Sequence, residues 1–383
     1  MPLKLSLVSA LCIFSIPPSF SITPLQHKLI IKVVAPKSTP RNASVFVAGN
    51  GTALGGWDAG AAMMTRENDS TWSFHASFNE GSQLEFKITR GSWINEALYG
   101  HKTIPTNVVL VLKSDTVITL HPISWKDIDF PINEGITGTV KYLRGLRSPA
   151  LRHPRDVIIW LPPSYEKNPS KKYPVLYMHD GQNIIDPLTS FGGLDWRVDE
   201  VADSLIEARS IEEIIIVGIY NTRDREQEYS DTPLGRAYAD FVVHMVKPMI
   251  DSMYRTKPDK KNTAVMGSSS GGLISFLFAW WYPDIFSKAG CLSSAFLVDS
   301  NKIIKEVKAY AGPKKNIRIY LDNGSAGIDT LLKPGYDKMV RVLEEKGYVK
   351  GKDLEYFFDK GAEHNERAWA RRVWRPLVFM FGK

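Results

Sequence analysis

The sequence predicts an α/β protein: a mainly parallel β-sheet with helices on both faces, preceded by a small all-β sandwich. Three observations carry that expectation. From about residue 135 to the end, apolar strand-type runs alternate with runs of helical period, the pattern of strand–helix–strand crossovers on a parallel sheet. From Leu25 to Leu120 no helical period appears, and short β-type runs are separated by turn residues. The chain has 383 residues, more than one hydrophobic core usually fills, so two domains are expected.

Taken in order, residues 1–21 read as a secretory signal peptide. Lys4 supplies the basic start, Leu5–Ile16 the apolar core, and Ser19-Phe20-Ser21 the small residues before a cleavage point. That core is too short to cross a bilayer, and no later apolar run is long enough for a membrane span. Cys12 falls inside this segment, so Cys291 is the single cysteine of the mature chain and can form no internal disulfide. Export without disulfides suits a secreted or periplasmic bacterial protein.

Residues 22–123 form the expected sandwich, with strands at Leu29–Val34, Ser44–Val47, Thr71–Phe78, Gln83–Thr89 and Thr116–Leu120. Within it lie Leu54-Gly55-Gly56-Trp57, then Leu84-Glu85-Phe86-Lys87-Ile88, then Gly91-Ser92-Trp93. This order resembles the starch-binding type of carbohydrate-binding module. The resemblance implies a sugar platform at Trp57, Lys87 and Trp93. A sugar ring offers a C–H face that an indole can stack on, and an ammonium donates to hydroxyls. The bland alternative is that both tryptophans are core residues and the module a spacer. Residues 124–135, bracketed by Pro122 and Pro131, read as the linker.

Residues 136–383 carry the alternating pattern. Strands are expected at Thr137–Tyr142, Asp156–Leu161, Pro174–His179, Glu213–Tyr220, Thr263–Gly267, Lys288–Leu292, Ile317–Asp322 and Leu354–Phe358. Helices are expected at Trp196–Ala208, Gly235–Tyr254, Gly271–Tyr282, Asn301–Tyr310, Gly335–Lys346 and Asn365–Phe381. Sites in such sheets lie beyond the carboxyl ends of the strands, so the chemistry is expected at those ends.

The informative end is Gly267-Ser268-Ser269-Ser270-Gly271-Gly272, a G-x-S-x-G between a strand and a helix. This is the nucleophile elbow of the α/β-hydrolase fold, in which a strained turn lifts a serine hydroxyl clear of the sheet. Alone the motif is common by chance; its strand–turn–helix setting gives it weight. Ser269 is the expected nucleophile. The fold needs an oxyanion donor in the loop after Tyr177-Met178-His179-Asp180-Gly181; similarity to esterases and acyltransferases implies the Gln182 N–H for this, with the Ser270 N–H as the second donor. His179 reads as a buried structural histidine; Asp180 either binds substrate or braces its loop.

The acid has two candidates: Asp322 at a strand end, and Asp329 in the loop past two glycines. A loop carboxylate can turn back toward the base, so Asp329 is preferred. Of eight histidines, His364 stands at the required point, in the polar loop between the last strand and the terminal helix. Ser269, Asp329 and His364 follow in α/β-hydrolase order. Trp196, Arg225, Glu228 and Tyr229 lie on the expected rim, either as substrate contacts or as core and bracing residues.

From about Gly138 onward the chain is similar to the esterase family that includes esterase D, feruloyl and acetylxylan esterases, enterochelin esterases and mycolyltransferases. Tyr173-Pro174-Val175-Leu176-Tyr177-Met178-His179-Asp180-Gly181-Gln182-Asn183, the serine elbow and Gly361-Ala362-Glu363-His364 carry the resemblance. It implies hydrolysis of carboxylic esters through the triad above, without a cofactor. With a sugar-binding module attached, acetyl or feruloyl esters on carbohydrate are the expected substrates. Siderophore esters or acyl transfer are the alternatives within the family. A glycan-binding protein with an idle hydrolase domain is the alternative outside it.

The remaining composition narrows the class. The formal charge is +7, but Lys and Arg are dispersed rather than striped, so no nucleic-acid partner is expected. No His/Cys/Asp cluster has metal-ligand spacing, so no metal site is expected.

Overall fold

The computed structural model describes residues 25–100, 107–129, 136–191 and 193–383. The expected signal peptide, residues 1–21, and the second half of the expected linker, residues 130–135, lie outside them.

The N-terminal unit is a sandwich of two four-stranded sheets. One sheet is ordered Thr65–Arg66, Thr71–Asn79, Gln26–Val34, Thr116–Leu120; the other is Ala62–Met63, Phe46–Gly49, Gln83–Thr89, Val108–Val111. Alternation sets the core: Leu29, Ile31 and Val33 point inward with no exposure and meet Val47, Phe86 and Ile88 of the other sheet. The unit does not stop at residue 123. Ser124–Trp125 pairs with Ala97–Leu98, and Trp125 is fully buried in the same core. A large indole that closes a hydrophobic core belongs to the domain, so the expected linker begins after it.

The second unit is built on an eight-stranded sheet ordered Thr139–Leu146, Arg155–Leu161, Ile215–Ile219, Val175–His179, Thr263–Ser268, Lys288–Leu292, Arg318–Gly324, Leu354–Asp359. Arg155–Leu161 is antiparallel to both its neighbours, and the other pairings are parallel. The central strands are buried throughout, as expected for a sheet covered on both faces. The helix after the serine, Ser270–Trp281, is buried along nearly its whole length. That explains its continuous apolar character where a surface helix would show one stripe.

Three helical runs depart from the sequence reading, one of them the expected Gly235–Tyr254, which is divided into Pro233–Phe241, Val242–Val246 and Lys247–Met253. The helix expected to begin at Gly335 begins at Ile328 and carries Pro334 inside it. Pro334 is the seventh residue of this helix, past the four N-terminal N–H groups that lack an intrahelical acceptor, so the helix runs through it at the loss of one interior hydrogen bond. The terminal helical run is divided into Glu366–Arg372 and Trp374–Phe381.

Candidate active site

The strand Thr263–Ser268 delivers Ser269 at φ 58°, ψ −124°, a backbone conformation that non-glycine residues rarely hold. Surrounding contacts hold it there. The Ser269 N–H donates to the Leu292 carbonyl at 2.9 Å, and the Ala295 N–H donates to the Ser269 carbonyl at 3.1 Å. The flanking glycines are needed for space: a Cβ on Gly267 would lie 2.6 Å from the Gly271 carbonyl oxygen, and one on Gly272 would overlap Ser294 Oγ. Ser270 opens the following helix, so its N–H is one of the first-turn donors without an intrahelical acceptor. Its hydroxyl donates to Glu226 Oε2 at 2.7 Å.

Ser269, His364 and Gln182 line one cleft of about 950 Å³. His364 follows Leu354–Asp359 and sits before Glu366–Arg372, whose start is capped by the Asn365 side chain accepting from the Ala368 N–H at 3.0 Å. The imidazole packs edge-to-face on Trp369, with centroids 5.0 Å apart.

The carboxylate beside His364 is Asp329. Its Oδ1 lies 2.6 Å from His364 Nδ1. Burial raises the Asp329 pKa, but hydrogen bonds from His364, Ser293 and the Gly324 N–H outweigh that and hold it below the ordinary carboxylate value. An ionised carboxylate only accepts, so Nδ1 carries the proton and Nε2 is left as the basic nitrogen. Asp329 does not lie in the loop expected from its position past two glycines. It is the second residue of a helix and fully buried, where the helix N-terminus favours negative charge. Gly324 is required beside it: a Cβ there would overlap the Asp329 carboxylate, to which the Gly324 N–H donates at 2.6 Å.

Asp322, the other candidate, faces elsewhere. It accepts from Arg372 Nη2 at 3.1 Å and from the Ser293 N–H at 3.1 Å, and the Tyr320 hydroxyl donates to it at 3.2 Å. Burial raises its pKa. Between the two acids stands Ser293, fully buried. Its hydroxyl donates to Asp329 Oδ2 at 2.8 Å and accepts from Arg372 Nη2 at 2.7 Å and from Trp369 Nε1 at 3.2 Å. Ser293 and Arg372 escaped the sequence reading. Ser293 follows the strand Lys288–Leu292, so strand-end position was a usable signal for it; Arg372 lies within a helix and offered none.

The loop after Val175–His179 is fixed by charge. Asp180 is held at φ 57° and accepts both Nε and Nη2 of Arg225, at 2.7 and 2.8 Å, and Nδ2 of Asn221 at 2.5 Å. Burial raises the Asp180 pKa, but Arg225 and Asn221 hold it below the ordinary value. Of the two roles open to Asp180, bracing is the one its contacts occupy. Gly181 is needed because a Cβ there would overlap the backbone of Gly218 on the neighbouring strand. His179 is fully buried against the Tyr238 hydroxyl at 2.8 Å, and burial pushes its pKa down to about 3. It is a neutral core residue.

Glu228 and Arg155 form a fully buried bidentate pair at 2.6 and 2.9 Å. Tyr229 is buried and accepts from the Asp180 N–H. Trp196 is buried but borders the cleft. Glu366 also lines the cleft, and burial raises its pKa.

The three residues expected to form a sugar platform lie at the junction of the two units. Trp57 and Trp93 border the same cleft as Ser269. Both pack edge-to-face on Phe191 of the second unit, with centroids 5.9 and 6.0 Å apart. Lys87 lies inside the module rather than on its surface. It is 5 % exposed, and its ammonium lies 2.6 Å from the Glu96 carboxylate. A buried ammonium requires such a counter-charge.

Comparison with known proteins follows this division. Residues 148–378 match the family model described as "Putative esterase", and residues 28–114 match the one described as "Starch binding domain". The uncharacterised protein YbbA of Bacillus subtilis is 21 % identical over 248 residues, covering 60 % of this chain and 93 % of that protein. An endo-1,4-beta-xylanase/feruloyl esterase of Xylanibacter ruminicola is 25 % identical over 237 residues, covering 58 % of this chain and 29 % of that protein.

Among solved structures, a ferulic acid esterase superposes with a TM-score of 0.53 at 24 % identity, covering 63 % of this chain and 98 % of its own. The enterobactin esterase FES of Shigella flexneri superposes with a TM-score of 0.52 at 13 % identity, covering 90 % of each chain. At these identities the structures establish the fold.

Proposed function

This chain belongs to the putative esterase family and is a carboxylic ester hydrolase of the serine type, and from that premise we propose that it removes acyl groups, acetyl or feruloyl, from carbohydrate through Ser269, His364 and Asp329. The observation that carries the reading is the 2.6 Å contact between His364 Nδ1 and the buried Asp329 carboxylate, beside a cleft that also holds Ser269. In the reaction His364 Nε2 takes the Ser269 proton as Oγ attacks the ester carbonyl carbon. The developing oxyanion accepts from the Gln182 and Ser270 N–H groups, each such donor contributing about 10²–10³ in rate. His364 then returns the proton to the departing alcohol, leaving an acyl-serine. Water, deprotonated by the same histidine, releases the acid and restores Ser269. Asp329 holds the imidazole tautomer and stabilises its charged form.

The carbohydrate part of the reading rests on the starch-binding-type module and on the relative whose name includes feruloyl esterase. A second reading, hydrolysis of a siderophore ester, is favoured by the similarity to FES over 90 % of both chains. A panel of acetylated xylan, feruloylated xylo-oligosaccharide and a catecholate trilactone separates the two. Ser269→Ala should lower turnover of p-nitrophenyl acetate about 10³-fold or more and abolish fluorophosphonate labelling. Near-normal turnover in that variant removes the triad assignment. Export is part of the proposal, supported by the Met1–Ser21 segment; the amino-terminal sequence of protein recovered outside the cytoplasm tests it.

A further inference from the structure

The N-terminal module does not turn its tryptophans toward bulk solvent. Trp57 and Trp93 line the cleft that holds Ser269 and His364. Phe191, from the esterase unit, stands between them in edge-to-face contact with both, and the Lys87 ammonium lies 5.9 Å from its ring centroid. In each edge-to-face pair the edge of one ring meets a single face of the other, so the pair covers one ring face rather than two. Trp57 and Trp93 remain half-buried and Phe191 is 42 % exposed, so aromatic surface is left for a ligand inside the cleft. Trp57 is also held at φ 62°, a conformation that is strained for so large a residue and persists only where its surroundings demand it. The junction is tied at its rim, where Arg223 lies 3.8 Å from Asp58 across the two units.

We propose that Trp57, Trp93 and Phe191 form a carbohydrate subsite of the catalytic cleft itself, holding the sugar portion of the ester while its acyl group meets Ser269. The inference rests on the reading that Ser269 is the nucleophile of a carbohydrate esterase. The chemistry follows from the rings. Sugar C–H faces pack against aromatic surface, and the charged rim at Asp58 and Arg223 offers acceptors and donors to hydroxyls. A module placed this way acts by orienting one bound substrate. A module facing away from the cleft would act by raising the local concentration of enzyme on a polymer. The two arrangements differ in their response to short soluble substrates, which cannot profit from anchoring.

The test uses the full chain and soluble sugars. Millimolar xylohexaose or maltohexaose should slow fluorophosphonate labelling of Ser269 severalfold, and Trp57→Ala and Trp93→Ala should each lose that protection. Both variants should lower kcat/KM for a feruloylated xylo-oligosaccharide about tenfold more than for methyl ferulate. Trp57→Tyr, which keeps a ring in place, should recover most of the difference. Absence of protection by either sugar, or equal losses on the sugar ester and the methyl ester, overturns the subsite. Loss of Ser269 labelling in the unmodified protein would overturn the esterase reading instead, so the two failures are distinguishable.

Discussion

The two buried aspartates differ in a way that a pair of amide substitutions can expose. Asp329 meets His364 Nδ1 at 2.6 Å, while Asp322 meets Arg372 at 3.1 Å. Asp329→Asn replaces an acceptor with a group that can present N–H to Nδ1. The imidazole then carries its proton on Nε2, facing Ser269, and cannot accept the serine proton. The loss of a triad carboxylate in this manner is worth about 10⁴ in turnover, or roughly 5–6 kcal/mol of barrier at 1.36 kcal/mol per decade. The fold should suffer less, because Asn keeps an oxygen for the Ser293 hydroxyl and the Gly324 N–H.

Asp322→Asn should do the reverse. Arg372 is 2 % exposed and would keep its bond to the Ser293 hydroxyl at 2.7 Å, but its remaining carboxylate contacts would be only the longer ones to Asp359 at 3.6 Å and Asp329 at 3.9 Å. Removing one partner of a buried ion pair costs about 3–5 kcal/mol, so this variant should unfold earlier yet keep much of its turnover per folded molecule. The assay is p-nitrophenyl acetate hydrolysis normalised to active-site titration, with Tm measured alongside. Equal losses per folded molecule, or an Asp329→Asn enzyme with more than a tenth of normal turnover, would refute the reasoning.

Two further outcomes follow from packing and charge. Gly267→Ala puts a Cβ 2.6 Å from the Gly271 carbonyl oxygen; neither backbone can retreat without moving the elbow, so activity on p-nitrophenyl acetate should fall at least tenfold, and normal activity would show that the turn is more tolerant than its geometry implies. Burial raises the Asp195 pKa to about 7 and that of neighbouring Asp199 to about 9. A raised folded pKa gives stability that is complete below the unfolded value of 3.8 and is lost as pH rises through the folded one. Tm should therefore fall between pH 5 and pH 8, and Asp195→Asn, neutral throughout, should flatten that fall and raise Tm at pH 8 by ~2–4 °C; an unchanged slope in the variant would remove Asp195 as its cause.

Much of the architecture was legible because its causes are local. Short β-type runs bounded by turn residues marked Gln83–Thr89 and Thr116–Leu120 to the residue. The steric demand of a strained turn marked Gly267, Ser269 and Gly271, and position after a strand marked His364. At Ile328–Glu345 the expected start, Gly335, is seven residues late, because the helix begins where it buries Asp329 in its first turn.

What no local signal contained was convergence. Asp322 and Asp329 are seven positions apart and chemically alike; only the course of the strand Arg318–Gly324 and its helix sends one to Arg372 and the other to His364. The bonds of Ser293 to Asp329 and Arg372 join segments 36 and 79 positions apart. Trp57, Trp93 and Phe191 meet only because the two units pack against each other. Periodicity and turn chemistry act over a few residues and are written in the order of the chain. The partner of a buried charge, and the surface a tryptophan turns toward, depend on how distant segments pack, which only the tertiary structure decides.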